Sequence, residues 1–402
     1  MVYVHVPFCR SFCVYCDFYS ELACKGRDAG LIAGYAEQVC REAAERSEEI
    51  KASLGTNTLY IGGGTPSVLP PDVLGRIISA VKKAAEVDGF EELTLEVNPE
   101  DIASKGDEYV LGLLELGVSR VSMGLQSLDD GILRWMGRRH DARRAREAVS
   151  ILKRCGVENL SLDIITGISG LSDEMLYDTV SEVIAMRPQH ISSYQLSIEE
   201  GSALDRMVER GVYVEASEEQ CRSQYEMLCR RLAEAGYVHY EISNWALPGF
   251  ESRHNSAYWT REPYVGLGPG AHSLTKTVRP AAAEAYGAAG LTGAAGAALE
   301  ARDGTAGSAV IVEERRSWNS QELSGWTREE ELLSAEEIRE ERLMLGLRTA
   351  QGIDGKRIAE SDWFIADSII ADLVWTPNPP FPRAYSNTKI ISCLRLSLKF
   401  SK

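Results

Sequence analysis

Short apolar stretches alternate with segments of helical period through the first half of the chain. The apolar stretches are rich in β-branched residues, Leu and Tyr, as strands are, and the segments between them repeat apolar residues at helical spacing. We predict strands at 2–6, 57–62, 92–97, 118–125, 159–164 and 189–196. We predict helices at 30–51, 71–86, 141–155 and 173–186. Six β-then-α units imply parallel strands with right-handed crossovers. Because a complete barrel needs eight, the pattern predicts an α/β fold, a partial (β/α)6 TIM-like barrel over 1–215.

The pattern changes after residue 215. A helical segment at 217–235 precedes a mixture of aromatics, glycine and turns, which predicts an α/β accessory region over 216–280. Residues 281–310 contain 13 Ala and 6 Gly. This low-complexity composition predicts an insertion.

The last part of the chain predicts a shortened helical C-terminal domain over 311–373. Its clearest helix is expected at 334–350, where Ser334 and Glu337 have the spacing of a capping box. Residues 374–402 then form an atypical tail with five basic residues and no acidic ones.

Composition narrows the class of protein. The 402 residues carry a net charge of −16, which argues against general affinity for nucleic acid, whose phosphates need Lys and Arg. No apolar run reaches the ~18–20 residues of a membrane span, and no signal peptide is recognisable. Nine cysteines are too few for a disulfide scaffold, so we expect a protein of the reducing cytoplasm.

Three of those cysteines are grouped. Cys9, Cys13 and Cys16 follow the first predicted strand. Thiolates hold iron–sulfur clusters, usually four to a cubane, so three would leave one iron open to another ligand. Structural zinc prefers four protein ligands, and no second C-x2-C pair is present. Unliganded thiols are the remaining alternative, but free cysteines usually scatter singly, so the spacing favours a [4Fe-4S] cluster.

Polar and glycine residues stand where the predicted strands end. The second strand runs into the glycine-rich loop 62–66, while Glu96, Gln126 and Asp163 interrupt later apolar strands. Each of these three could singly be a surface or cap residue. Chemistry in β/α barrels gathers at the carboxyl ends of the strands, so together they predict one polar pocket.

The cysteine triplet, the Gly-Gly-Gly-Thr-Pro loop and these strand-end residues resemble a radical S-adenosylmethionine protein. The resemblance implies that Cys9, Cys13 and Cys16 hold a [4Fe-4S] cluster whose fourth iron binds S-adenosylmethionine. It implies that Tyr15 packs on the adenine and that Gly63, Gly64 and Thr65 contact the methionine moiety. It also implies that Glu96, Gln126 and Asp163 hydrogen-bond the cofactor, that Arg138 binds a carboxylate and that Tyr3 lies near the site. Arg138 has several arginine neighbours, so a solvated side chain is the alternative for it.

Longer stretches at 3–9, 122–127, 240–245 and 266–273 resemble the HemN/HemW group of coproporphyrinogen dehydrogenase-like proteins. The dehydrogenase branch carries a further cysteine two residues after the third and a long N-terminal segment. Here Asp17 and Phe18 follow Cys16, and the first strand begins at residue 2. Both differences favour the HemW branch, which implies a heme chaperone. The alternative is an oxygen-independent coproporphyrinogen III oxidase.

Residues 253–259 resemble the HNxxYW motif associated with heme in that branch. The resemblance implies heme contact by His254, Tyr258 and Trp259, since imidazole ligates heme iron and aromatic faces suit a porphyrin. The alternative is a structural histidine among core aromatics. His272 is a second candidate ligand, and His5 is expected to hydrogen-bond near the cluster. Implied partners are a heme-accepting protein and an electron donor such as flavodoxin or ferredoxin.

The resemblance weakens after Asp354. Residues 362–373 resemble the family's closing helix but follow after only seven residues, and 374–402 match no familiar pattern. We hypothesise an internal deletion followed by a non-family extension, with a non-functional product as a third alternative.

Overall fold

The architecture comes from a computed structural model that describes residues 1–22, 29–280, 297–300 and 310–366. Most of the predicted insertion at 281–310 and all of the predicted tail at 374–402 lie outside the described residues. The strands are β1 (Val2–Val6), β2 (Phe8–Cys9), β3 (Glu21–Leu22), β4 (Thr58–Gly63), β5 (Glu92–Val97), β6 (Arg120–Gln126), β7 (Leu160–Thr166), β8 (His190–Gln195), β9 (Val238–Glu241), β10 (Asn244–Ala246), β11 (Val265–Leu267), β12 (His272–Pro280), β13 (Ala297–Glu300), β14 (Val310–Asn319) and β15 (Arg328–Leu332).

Helices connect the long strands of the first half. They are α1 (Ala29–Glu45), α2 (Ser47–Ala52), α3 (Pro71–Ala85), α4 (Pro99–Glu115), α5 (Asp130–Trp135), α6 (Ala142–Arg154), α7 (Asp173–Ala185), α8 (Ala203–Glu209), α9 (Glu218–Glu234), α10 (Arg253–Trp259) and α11 (Ala335–Gly346). Short 3-10 turns occur at Pro66–Val68 and Glu360–Ile365. Ser334 and Glu337 form the capping box predicted for α11, with both reciprocal hydrogen bonds present.

The main sheet has the order β11-β1-β4-β5-β6-β7-β8-β10-β9. Its six central strands, β1 and β4 to β8, pair in parallel, which confirms the predicted partial barrel. The accessory region adds β11 in parallel beside β1 and β10 antiparallel beside β8. These additions are strands of three residues, too short for any period to be read from the sequence.

The two faces of the barrel differ in chemistry, because successive side chains of a strand point to opposite faces. On the outer face, side chains such as Val4, Ile61, Leu95 and Met123 are fully buried in one large apolar cluster with the covering helices. The inner face is polar, although branched apolar residues usually fill such barrels. The following residues of this face are partners on neighbouring strands: Tyr3 with Tyr60, Tyr60 with Thr94, Thr94 with Arg120, Ser122 with Ser161, and Ser161 with His190.

A second sheet follows the barrel. β14 pairs antiparallel with β12, β13 and β15, so the region predicted as helical from 311 opens with two strands before α11 begins. Buried Arg261 connects this sheet to α10 and α11. It donates to Glu314 of β14 at 2.7 Å and to Glu341 of α11 at 2.6 Å. Because both carboxylates are themselves largely buried, the arginine holds three elements together through paired charges.

Candidate functional site

A cavity of about 470 Å³ opens at the carboxyl ends of the barrel strands. Cys9, Cys13 and Cys16 all line it, on the segment after β1, where Cys9 ends β2 and the other two follow in the loop. Every residue of the predicted S-adenosylmethionine set except Tyr3 lines it as well: Tyr15, Gly63, Gly64, Thr65, Glu96, Gln126, Arg138 and Asp163. Tyr3 lies deeper in the barrel, where its hydroxyl is hydrogen-bonded to His5 Nδ1 at 3.1 Å.

None of the three cysteines is in a disulfide, and all three are half-buried. Cys9 Sγ is 3.4 Å from Thr65 Oγ1, and Arg138 Nη1 donates to Cys13 Sγ at 3.6 Å. Burial raises the pKa of the Cys9 thiol. Among the described residues no three His, Cys, Asp or Glu side chains converge on a single metal position. The shared cavity rim suits a multi-iron cluster, in which each thiolate binds a different iron.

The glycine loop after β4 brings backbone to the cysteines. Gly64 N–H donates to Val6 O at 2.8 Å. A β-carbon on Gly64 would lie 2.9 Å from both Phe8 O and Val6 O and 3.1 Å from Cys9 Sγ. Gly63 adopts a φ of 109°, in the region that favours glycine. Only glycines let this loop lie against the cysteine segment.

Two carboxylates face the cavity with defined partners. Glu96 accepts from Tyr60 OH at 2.8 Å and from Gly63 N–H at 3.1 Å. Asp163 accepts from Ser122 Oγ at 3.2 Å and Ser161 Oγ at 3.2 Å. Burial raises the pKa of Asp163, while the serine hydroxyls and the charge of Arg120 act in the opposite direction. Both carboxylates are therefore held in fixed orientations.

Arg138 and Gln126 carry buried polar atoms without a protein partner among the described residues: Arg138 Nε and Gln126 Oε1. Arg138 Nη2 donates to Gly124 O at 2.5 Å, which fixes the guanidinium. Gln126 sits at φ 67°, an uncommon conformation for a residue other than glycine. An unpaired donor and an unpaired acceptor in one cavity, beside two carboxylates, fit a ligand with amino and carboxylate groups. The donor set thus suits S-adenosylmethionine.

The predicted heme residues lie elsewhere. His254 is buried below the cavity, with Nδ1 hydrogen-bonded to Thr58 Oγ1 at 2.8 Å and Nε2 to Tyr258 OH at 3.1 Å. Trp259 packs in an apolar cluster with Met344 and Trp363 among others. An iron bond to His254 would therefore require the ring to release one of its two partners. Heme contact by these residues stays a prediction.

The other histidines have local partners. His5 Nε2 is hydrogen-bonded to Tyr19 O at 2.9 Å, on the segment that follows the cysteines, as expected. His272 begins β12 and borders a cavity of about 50 Å³ together with Tyr3, His5 and Tyr258. Of the predicted heme contacts, Tyr258 and the second candidate ligand His272 line that cavity, whereas His254 and Trp259 do not.

Sequence reasoning missed the supporting side chains of the inner face. Tyr60, Ser122 and Ser161 donate hydrogen bonds to the two carboxylates, yet a single Tyr or Ser in a predicted strand does not indicate such a role. The signal was the alternation within each strand, such as Thr58 and Tyr60 between apolar neighbours. Read across all six strands, this alternation predicts a polar interior.

A second cavity of about 260 Å³ adjoins the first and shares Tyr15, Phe18 and Tyr194 with it. Its far wall includes Tyr225, Trp363, Phe364 and Arg348. The described helices include none with the length and apolarity that a membrane crossing requires.

Comparison with known proteins bears on this geometry. The family model for the radical SAM superfamily matches residues 3–183. The chain is 36% identical over 277 residues to the heme chaperone HemW of Lactococcus lactis, covering 69% of this chain and 70% of the relative. It is 32% identical over 357 residues to radical S-adenosyl methionine domain-containing protein 1, mitochondrial, of Bos taurus, covering 88% and 74%. The solved structure of the coproporphyrinogen III oxidase HemN from Escherichia coli is similar in fold, with a TM-score of 0.63 at 16% identity over 87% of this chain and 75% of that one.

Proposed function

This chain belongs to the radical SAM superfamily, in the group of the HemW heme chaperones, and on that premise we propose that it binds heme and delivers it to an acceptor protein. The proposal includes a [4Fe-4S] cluster and exchangeable S-adenosylmethionine at the 470 Å³ cavity. The observation that carries it is the convergence of three cysteines and a polar pocket in a chain that covers 70% of a HemW relative. When bound, the cluster and S-adenosylmethionine supply one-electron chemistry.

In this proposal each side chain has a binding or orienting role. Cys9, Cys13 and Cys16 would hold the cluster, and the cavity that they line would leave room for a further ligand to it. Arg138 steadies Cys13 through its sulfur contact and offers its unpaired Nε to a carboxylate, for which the guanidinium fork is suited.

The remaining cavity residues bind the rest of the cofactor. Glu96 and Asp163 accept hydrogen bonds from amino or hydroxyl groups, and Gln126 offers its unpaired Oε1. The backbone from Gly63 to Thr65 would contact the methionine moiety, and Tyr15 would pack on the adenine.

The proposal also covers partners and surroundings. The heme-accepting protein follows from the chaperone function of the relatives, and an electron donor such as flavodoxin or ferredoxin would reduce the cluster. None of the seven cysteines in the described part of the chain is in a disulfide, which suits the reducing conditions of the cytoplasm.

A first experiment tests the cluster. Anaerobically reconstituted Cys13→Ser should lose most of its bound iron and its charge-transfer absorption. Cys155→Ser, a matched control on the far end of α6, should keep both. Equal iron content in the two variants would refute the assignment.

A second experiment tests heme. Titration of the reconstituted protein with hemin should give a saturable shift of the Soret band, and its absence would end the chaperone proposal. An anaerobic assay with coproporphyrinogen III and a reductant should give no product. Repeated turnovers to protoporphyrinogen would establish the oxidase activity instead.

A further inference from the structure

A column of three side chains runs through the inside of the barrel up to the cavity: His254 and Tyr60, which are buried, and half-buried Glu96. The Tyr60 ring centroid lies 5.1 Å from that of His254, and its hydroxyl donates to Glu96 Oε1 at 2.8 Å. Glu96 lines the proposed S-adenosylmethionine cavity. The column thus connects the HNxxYW segment with the cofactor site through direct contacts.

Tyr60 has little room to move. It is buried, with its ring against Tyr3 at a centroid distance of 6.1 Å. A β-carbon on Gly62 would lie 2.7 Å from Tyr60 Cε1 and 2.9 Å from Glu96 Cδ. Glycine at 62 is therefore what allows the tyrosine and the carboxylate to meet. Burial and the charge of Glu96 raise the pKa of Tyr60, so the hydroxyl stays protonated as a donor.

His254 supports the column from the amino end of the barrel. Thr58 and Tyr258 hold its two ring nitrogens. The first backbone N–H groups of α10, those of Arg253 and His254, donate to Glu92 at 3.0 Å each. Glu92 opens the same strand that carries Glu96. The helix and the carboxylate are therefore anchored on one strand, four residues apart.

We propose that His254 and Tyr60 are positioning residues for Glu96, so that the HNxxYW segment supports S-adenosylmethionine binding rather than ligating heme iron. The inference rests on the proposed function, since it takes Glu96 to contact that cofactor. Tyr60 holds the carboxylate oxygen in place, and the His254 ring prevents the tyrosine from receding into the barrel. Loss of the Tyr60 hydroxyl or of the His254 ring weakens or removes the hydrogen bond from Tyr60 to Glu96, while the hydrogen bond from Gly63 N–H remains.

The test uses full-length, anaerobically reconstituted protein. S-adenosylmethionine is titrated against the EPR signal of the reduced cluster, and hemin against the Soret band. Tyr60→Phe removes only the hydroxyl, His254→Ala removes the ring, and His254→Phe keeps a ring against Tyr60. Tyr237→Phe is the matched control, because that buried hydroxyl donates to Pro188 O away from the cavity.

We expect Tyr60→Phe and His254→Ala to raise the dissociation constant of S-adenosylmethionine about tenfold, the effect of one hydrogen bond to a charged group. His254→Phe should recover most of that loss, and Tyr237→Phe should bind as the wild type does. Hemin affinity should stay within about twofold in all four variants, because the inference gives none of the three substituted residues a contact with heme.

Three results would overturn the inference. A His254→Ala variant that loses the hemin shift but keeps its S-adenosylmethionine affinity would make His254 a heme ligand. Unchanged affinity in Tyr60→Phe would show that Glu96 needs no support. A wild-type protein whose cluster signal ignores S-adenosylmethionine would refute the proposed function as well, a failure that appears before any variant is made.

Discussion

Replacing Gly64 with alanine tests whether close backbone packing holds the cysteine loop in place. The new β-carbon would lie 2.9 Å from two backbone carbonyl oxygens, Phe8 O and Val6 O, and 3.1 Å from Cys9 Sγ. Ordinary contacts begin near 3.4 Å, so the loop must move by roughly half an ångström away from β1. That movement strains the bond from Gly64 N–H to Val6 O.

The magnitude follows from the rigidity of these neighbours. Backbone carbonyls of a paired strand cannot rotate away as a side-chain tip can, so overpacking should cost about 1–3 kcal/mol of unfolding free energy. Gly64 does not have a positive φ, so alanine adds no backbone strain there. The displaced loop should also lower iron occupancy and weaken S-adenosylmethionine binding about tenfold, since ~1.4 kcal/mol corresponds to that factor.

Gly34→Ala is the matched control. Gly34 lies inside α1, where an added methyl group would have no atom within 4 Å besides its chain neighbours and the helix's own backbone, so alanine there should stabilise the helix by about 0.5–1 kcal/mol. Urea denaturation, iron analysis and S-adenosylmethionine titration on both variants complete the assay. If Gly64→Ala keeps wild-type stability, iron content and affinity, the close-packing argument is wrong.

Three further predictions concern charges. Arg138→Lys should weaken S-adenosylmethionine binding in the same titration, because an ammonium lacks the fixed fork; equal affinity would contradict the role. Burial raises the pKa of Glu241 from 4.5 to about 7, so Glu241 ionises in the unfolded chain at a lower pH than in the folded protein. The free energy of unfolding of the wild type should therefore fall by roughly 2–3 kcal/mol as the pH rises between those values. In urea denaturation, Glu241→Gln should no longer show that pH-dependent loss. The control Glu234→Gln, at an exposed position, should still show it. Arg261→Met should cost about 3–5 kcal/mol in urea denaturation because buried carboxylates lose their partner, whereas Arg253→Met, from an exposed pair, should cost under about 1 kcal/mol.

The long strands could be predicted from the sequence because each is a run of β-branched residues between helices of clear period. The predicted strand at 92–97 has the same limits as β5, and the predicted helix at 71–86 differs from α3 by one residue. The flanking strands β10 and β11 could not be predicted, because three residues carry no period and their pairing depends on tertiary contact. The cavity residues followed from strand ends and resemblance, whereas Tyr60 required the register between strands.

The position of His254 shows the limit of motif reasoning. A histidine followed by Tyr and Trp has the chemistry of a heme contact, but the motif does not reveal what else the ring can reach. Thr58 and Tyr258 satisfy both nitrogens, and only the folded barrel brings Thr58, 196 residues earlier in the chain, beside it.

The pairing of β1 on both of its edges has a consequence for the order of events during synthesis. β1 carries the cysteine loop, and it lies between β4 and β11. Residue 267 must therefore emerge from the ribosome before the first strand has both neighbours. Because long-range parallel pairing is slow, the thiols remain without their final support during translation of most of the chain. If Cys9, Cys13 and Cys16 hold the proposed cluster, it would therefore be loaded only after residue 267 has been translated and the barrel strands have paired.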